Sequence, residues 1–222
     1  MNSIVMSLLS KIRCAFTLGQ GVLLDMPEPT GNEDPYALFG QWFEDAKRSG
    51  IVLPESMNVA TVGPDGRPSA RMVLLKGFDE RGFVFYTNYG SRKAEELEAH
   101  PLACLTFHWN ILQRQVRIEG RVERVSHQES KEYFHSRGRG SQIGAWASHQ
   151  SQVIADRESL ERQVVQYTKE FENKEVPLPS FWGGYRVIPD NIEFWQGKAD
   201  RLHDRFRYSF DAKGWMADRL SP

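Results

Sequence analysis

Residues 113–125 read QRQVRIEGRVERV, so that Gln115, Arg117, Glu119, Arg121 and Glu123 alternate with Val116, Ile118, Gly120 and Val122. A period of two sustained over this length is that of a β-strand with one wet face and one buried face, and it cannot lie on a helix. The same signal recurs in shorter runs at 57–62, 69–76, 83–87 and 102–109, and again at 181–187, 192–196, 205–210 and 215–220. Pro64-Asp65-Gly66 and the segments 79–82 and 211–214 supply turn chemistry between them. Helical spacing interrupts the strands in four places. At 36–49 it places Leu38, Phe39, Trp42, Phe43 and Ala46 on one face, at 91–100 it is ended by Pro101, and it returns at about 126–136 and 156–173. Many short antiparallel strands with a few inserted helices predict a mainly β fold, a small barrel with helices packed outside.

No composition shift marks a second domain, so 36–222 is read as one domain behind an irregular Pro-, Gly- and acid-rich arm, 1–35. The 222 residues are 40% hydrophobic, enough for a sizeable core. A net charge of -1 offers no field for nucleic acid or an anionic membrane. Cys14 and Cys104 have no ligand spacing around them, which argues against a disulfide framework or a structural zinc and suits a reducing compartment. The apolar stretch 4–9 is too short to span a bilayer and has Lys11 and Arg13 after it, the reverse of a secretory signal. It reads as the start of a short helix in a cytoplasmic protein.

Four clusters hold the residues able to do chemistry. In Tyr86-Thr87-Asn88-Tyr89-Gly90-Ser91-Arg92-Lys93 a strand ends in a Gly-Ser turn and a helix opens beside two cations. This is either an anion site built on a helix N-terminus or a serine cap with solvated cations. In Arg71-Met72-Val73-Leu74-Leu75-Lys76 a cation stands at each end of an apolar strand. Each needs an anionic partner if buried, and snorkelling strand ends explain them otherwise. Tyr133 and Arg137 are four apart on one helical face, which Ser141 extends if Gly138 and Gly140 permit, making either a phosphate cradle or a frayed basic helix end. Finally, Trp195 can wall an aromatic ring, and Arg201, His203 and Arg205 share one face if their segment is extended. An RNA-binding sheet built on Arg114, Arg117, Arg121 and Arg124 is disfavoured by the interleaved Glu119 and Glu123, and the six histidines show no HxxxH or HExxH spacing for a metal.

Taken in order, RMVLLK (71–76), FYTNYGSRKA (85–94), RQVRIEG (114–120), YFHSR (133–137), SQIGAWAS (141–148), VPLPSFWGGYRV (176–187), IEFWQG (192–197) and RLHDRF (201–206) resemble the pyridoxine/pyridoxamine 5'-phosphate oxidase family. The resemblance spans about 36–222 and implies a split β-barrel of the FMN-binding type acting as a homodimer. It implies an FMN site of Arg71, Met72, Val73, Leu74, Leu75, Lys76, Tyr86, Thr87, Arg92, Lys93, Gln115, Trp195 and Arg205, with Gln150 and Ser151 contributed from the partner's side. The substrate site it implies is Lys76, Tyr133, Arg137 and Ser141 around a phosphate, with Arg201 and His203 at the pyridine ring as the catalytic pair. The implied reaction passes a hydride from the C4' carbon of pyridoxine or pyridoxamine 5'-phosphate to the flavin. Dioxygen then becomes hydrogen peroxide, and the amine substrate releases ammonia. A flavin reductase or a deazaflavin-dependent oxidoreductase has less reason to hold Tyr133, Arg137, Ser141, Arg201 and His203 as one set, and a non-catalytic FMN- or pyridoxal-phosphate-binding protein is the alternative from another class. The sequence departs from the family pattern where Arg13, Cys14 and Phe16 stand for Arg-Arg-x-Tyr, where Val22, Leu23 and Leu24 replace a basic run, and where Gly138 and Gly140 replace Pro and Asp.

Overall fold

The computed structural model describes Met26, Glu28, Pro29 and residues 34–222. The expected helix at 4–9 and the arm residues Arg13, Cys14, Phe16, Val22, Leu23 and Leu24 lie outside the described residues.

Helix α1 (Pro35–Arg48) is capped by Asp34, whose side chain accepts from the Tyr36 N–H, and carries proline in its first turn, where the missing N–H costs nothing. Strands β1 (Ser56–Val62), β2 (Pro68–Leu74), β3 (Gly77–Asp79) and β4 (Gly82–Asn88) follow, then α2 (Arg92–Ala99), β5 (Leu102–Trp109) and β6 (Arg114–Arg124). Helices α3 (His127–Ser136), α4 (Arg139–Ala147) and α5 (Arg157–Glu170) precede β7 (Trp182–Gln196), β8 (Asp204–Asp211) and β9 (Gly214–Arg219). Among the described residues no helix is long and apolar enough to cross a membrane.

The sheet is antiparallel throughout, in the order β2-β1-β5-β6-β7-β4-β3, and β8 and β9 continue from β7. It curls until its ends approach: the Lys76 N–H just beyond β2 donates to the Val84 carbonyl of β4 at 2.8 Å. The core fills this curl. Phe39 of α1 is fully buried and touches the rings of Phe43, Phe78, Phe83, Phe107 and Trp109, so the helix plugs the barrel with aromatic edges and faces.

Three sequence expectations change. The runs at 181–187 and 192–196 form one strand, because β7 continues through the Pro189–Asp190 bulge where the ladder with β6 shifts register at Glu119/Gly120. This length lets β7 pair with β4 over one half and β8 over the other. The strand at 69–76 ends at Leu74, since Leu75 and Lys76 leave the β1 ladder to bond Glu55 and Val84. Helix α4 was not expected. Gly140 and Gly144 weaken its propensity, and it stands because Ile143, Ala145 and Ala147 are buried, the first two in a second core with Phe134, Phe171, Val176 and Trp182.

Candidate active site

A cavity of about 830 Å³ opens between β2, the end of β4, the start of α2 and helices α3 and α4. It holds two cation clusters, each built differently.

The first lies where β4 passes into α2. Ser91 caps this helix through its backbone and is fully buried, and the Lys93 side chain is folded back beneath the turn at 7% exposure. Its ammonium donates to the Thr87 hydroxyl at 2.9 Å, the Ser91 hydroxyl at 3.2 Å and the Gln150 carbonyl at 2.7 Å, all neutral acceptors. Burial, and then the nearby Arg71 guanidinium, lower it to about 8. Arg71 reaches the same corner from β2, donating to Thr61, to Ser69 at 2.5 Å and to Glu96 at 3.0 Å. Arg92 donates through Nε to the other Glu96 oxygen at 2.8 Å. Burial by itself raises the Glu96 carboxyl, yet hydrogen bonds from Ser69, Thr61, Arg92 and Arg71 hold it at about 2. Three cations against one carboxylate leave this corner net positive beside the positive end of α2.

The second cluster lies where α3 meets α4. Arg137 ends α3 in an extended conformation, and α4 begins at Arg139, so Tyr133, Arg137 and Ser141 do not share one continuous helical face. The break nonetheless brings all three to the cavity wall. Tyr86, Tyr133 and Trp182 form a near-parallel stack, with Tyr86 and Tyr133 centroids 4.0 Å apart, and the Arg137 guanidinium lies 4.7 Å over the Trp182 ring. Gly183 and Gly184 permit this stack to seat. A Cβ on Gly184 would stand 2.8 Å from the Tyr86 ring, and one on Gly183 would strike the Tyr89 hydroxyl. Burial lowers the Arg137 guanidinium from its usual value, and its Nη1 is buried without any hydrogen-bond partner. A buried guanidinium nitrogen without a hydrogen-bond partner, on a residue that lines the cavity, marks this corner as a candidate oxyanion site.

The predicted residues therefore separate into two groups. Arg71, Met72, Val73, Leu74, Lys76, Tyr86, Thr87, Arg92, Lys93, Tyr133, Arg137, Ser141, Gln150 and Ser151 all line this one cavity, while Leu75 is buried in the core behind it. Within one chain the segment after α4 returns to Lys93, and Gln150 and Ser151 line the same cavity as the residues of β2 and β4. Gln115, Trp195, Arg201, His203 and Arg205 do not line it. They gather on the C-terminal strands, where Gln115, Trp195 and Arg205 lie in one cross-strand row over β6, β7 and β8. The His203 ring packs on Trp195 at 4.5 Å, and its Nδ1 accepts from the Lys198 N–H at 3.1 Å. The extended alternation expected of Arg201, His203 and Arg205 fails at its start. Asp200 and Arg201 adopt left-handed backbone, φ 55° and 62°, in a short helical turn, and β8 begins only at Asp204.

Sequence reasoning missed Glu96, Ser69, Thr61, Trp182, Asn88 and Ser148. One signal for Glu96 was available: it sits three residues after Lys93 and four after Arg92, an acid one helical turn from two cations. Asn88 and Ser148 join through Nδ2 and a carbonyl at 3.1 Å, a contact 60 residues apart that no local pattern announces.

Comparison with known proteins follows this division. A sequence profile described as pyridoxamine 5'-phosphate oxidase matches residues 43–170, and one described as the pyridoxine 5'-phosphate oxidase C-terminal dimerisation region matches residues 182–222. The chain belongs to the pyridoxine/pyridoxamine 5'-phosphate oxidase family. The family's oxidoreductases named pyridoxine/pyridoxamine 5'-phosphate oxidase include one from Psychromonas ingrahamii, 63% identical over 98% of this chain and 100% of that one, and one from Colwellia psychrerythraea, 55% identical over the same shares. Among solved structures, PhzG from Burkholderia lata 383, in complex with tetrahydrophenazine-1-carboxylic acid, superposes with TM-score 0.83 at 30% identity over 90% of this chain and 99% of that one. A pyridoxamine 5'-phosphate oxidase-related, FMN-binding protein from Nostoc punctiforme shares the fold at TM-score 0.68, with 17% identity over 86% of this chain and 99% of that one. The expected split barrel is thus the fold of the family, and of the predicted residues that do not line the cavity, Trp195, Arg201, His203 and Arg205 fall in the second matched region and Gln115 in the first.

Proposed function

We propose that this oxidase converts pyridoxine 5'-phosphate and pyridoxamine 5'-phosphate to pyridoxal 5'-phosphate, with FMN as resident cofactor and dioxygen as final acceptor. The observation that carries the reading is one cavity with two distinct oxyanion corners, around Lys93 and around Arg137. Two corners suit two phosphorylated ligands held side by side. The donor chemistry fits a phosphate monoester at each: a buried ammonium with only neutral partners, and a guanidinium nitrogen with none. The chain has no GxGxxG turn for a dinucleotide, which favours FMN over FAD.

In this reading Arg71, Arg92 and Lys93, with the Thr87 hydroxyl and the α2 N-terminus, hold the FMN phosphate. Residues 71–74 of β2 and Lys76 just beyond it wall the ring, with Leu75 behind them in the core. Bound FMN supplies the two-electron acceptor that no side chain here can provide. Tyr133, Arg137 and Ser141 hold the substrate phosphate, and Lys76 stands at the mouth. Each alcohol oxidised reduces one dioxygen to hydrogen peroxide, and each amine also consumes one water and releases ammonia.

Gln115, Trp195, Arg201, His203 and Arg205 complete the site from a second subunit, so the active protein is a homodimer; all of them but Gln115 lie in the region matching the dimerisation profile. Nδ1 of His203 accepts from the Lys198 N–H, which leaves Nε2 as the ring nitrogen for the substrate. His203 then orients a substrate oxygen, Arg201 positions the pyridine ring, and water takes the departing proton. Residues 36–222 act as one catalytic domain behind the arm, in a reducing cytoplasm.

The test is direct. Purified protein should be yellow, release FMN by mass after heating, and consume oxygen with pyridoxine 5'-phosphate. Recovery of FAD, absence of flavin after reconstitution with FMN, or no oxygen uptake overturns the reading.

A further inference from the structure

We infer that Glu96 is a positioning residue that presets the phosphate corner, aiming Arg71 and Arg92 at the cofactor phosphate from behind. The inference rests on the reading of this corner as the FMN phosphate site.

Glu96 is 3% exposed and lies on the buried face of α2 with Lys93 and Leu97. Both of its oxygens are occupied. Oε1 accepts from Arg92 Nε at 2.8 Å and from the Ser69 hydroxyl at 2.8 Å, and Oε2 accepts from Arg71 Nη2 at 3.0 Å and Thr61 Oγ1 at 2.5 Å. The hydroxyls do not stand apart from the arginines, since Arg71 also donates to both Thr61 and Ser69. One carboxylate therefore joins two adjacent strands and the first turns of a helix through a closed set of five side chains. It does not line the cavity, whereas Arg71, Arg92 and Ser69 do.

The geometry has a physical purpose. Arg71 and Arg92 are long side chains with large rotamer freedom, and Lys93 nearby repels both. Without a counter-charge the three cations would spread, and each would have to be ordered when a dianion binds. A buried carboxylate behind them lowers their mutual repulsion, locks Arg71 in place together with Thr61, Ser69 and the Val59 carbonyl, and holds Arg92 through Nε so that its terminal nitrogens point onward for a ligand. This is preorganisation in the sense that ordering is complete before binding.

The experiment compares FMN with riboflavin, which has the same ring and no phosphate, by flavin fluorescence quenching on the apoprotein reconstituted as the full chain. Wild type must first bind FMN more tightly than riboflavin; if it does not, the underlying phosphate-site reading is what fails. Given that preference, Glu96→Gln should weaken FMN about tenfold or more and leave riboflavin affinity unchanged, the scale of one charge-assisted hydrogen bond. A merely structural role would weaken both ligands by the same factor. Equal losses, or an unchanged FMN affinity, overturn the inference. Ser69→Ala serves if Glu96→Gln does not fold, because it removes the hydroxyl between Arg71 and Glu96 and keeps the carboxylate paired. Its FMN-to-riboflavin ratio should fall in the same direction, and an unchanged ratio counts against the inference.

Discussion

Lys93 is a buried cation with neutral partners, and that makes the phosphate corner sensitive to pH. Its ammonium is lowered to about 8, burial being the first cause and Arg71 the second. A phosphate monoester is already largely dianionic above about pH 7, so loss of the Lys93 proton is what changes the charge of this corner in the range above it. FMN affinity should be full below pH 8 and decline as pH rises through 8 towards 9.5, with no such decline for riboflavin. Lys93→Met should weaken FMN binding by about 10- to 150-fold at pH 7 and remove the pH dependence. The sign for stability is opposite. Between pH 8 and 10.5 the unfolded chain keeps this proton and the folded apoprotein has lost it, so apoprotein stability rises across that window. Below pH 8 the Lys93 charge opposes folding by on the order of 3 kcal/mol. Melting curves of apoprotein and of Lys93→Met across pH 7 to about 10.5 check this, and parallel curves would refute it. Arg137 offers a complementary reading at the other corner. Under the proposed substrate-phosphate role, Arg137→Ala should raise KM for pyridoxine 5'-phosphate by about 10- to 150-fold and leave FMN affinity intact.

At the scale of elements, the cavity depends on how α3 is fastened to the sheet. Glu129 closes a capping box with Ser126 at the helix start and also pairs with Arg186 of β7 at 2.7 Å. Arg186 is 4% exposed and has Asp79 as its other partner. Glu129→Gln should therefore cost about 1–2 kcal/mol and loosen the wall that carries Tyr133. Burial tends to raise the Glu129 carboxyl, but bonds from Ser126 and the charges of Arg186 and Arg81 bring it below 4.5. A depressed carboxyl stabilises the fold above its unfolded value and loses that contribution as pH falls through the folded value. Wild type should accordingly lose its advantage over Glu129→Gln as the medium is acidified below about pH 4.5. Denaturant midpoints of both proteins at pH 7 and in acid measure the difference, and an unchanged gap would refute the assignment.

For the molecule as a whole, the predicted residues form two separate groups within one chain, and the proposed function joins them across a dimer. If Arg137 acts from one subunit and Arg201 from the other, the impaired Arg137→Ala and Arg201→Ala proteins, assayed at substrate far below the variants' KM, should complement when unfolded together and refolded in equal amounts. Half of the dimers would be mixed and each would regain one intact site, giving about a quarter of wild-type activity under two-fold symmetry. Activity no greater than that of the separate variants would place both residues in one subunit. The FMN-loaded protein should also sediment at twice the 25.5 kDa chain mass.

What the sequence determined by itself was local and repetitive. The two-residue period of 113–125 produced β6 within a residue of its expected ends, and the spacing of Phe39, Trp42, Phe43 and Ala46 placed the buried face of α1. Turn chemistry, helix stops and the order of the family motifs were legible for the same reason, since each rests on neighbours along the chain. Tertiary structure decided the rest. It joined 181–196 into one bulged strand, stabilised the glycine-bearing helix α4 through buried Ile143 and Ala145, and divided Arg137 from Arg201. It also placed Glu96 behind Arg71, 25 residues away, and Gln150 against Lys93, 57 residues away. Contacts of that kind depend on how the sheet curls and where helices seat, which is settled by burial summed over the whole core and by no periodicity in any one segment.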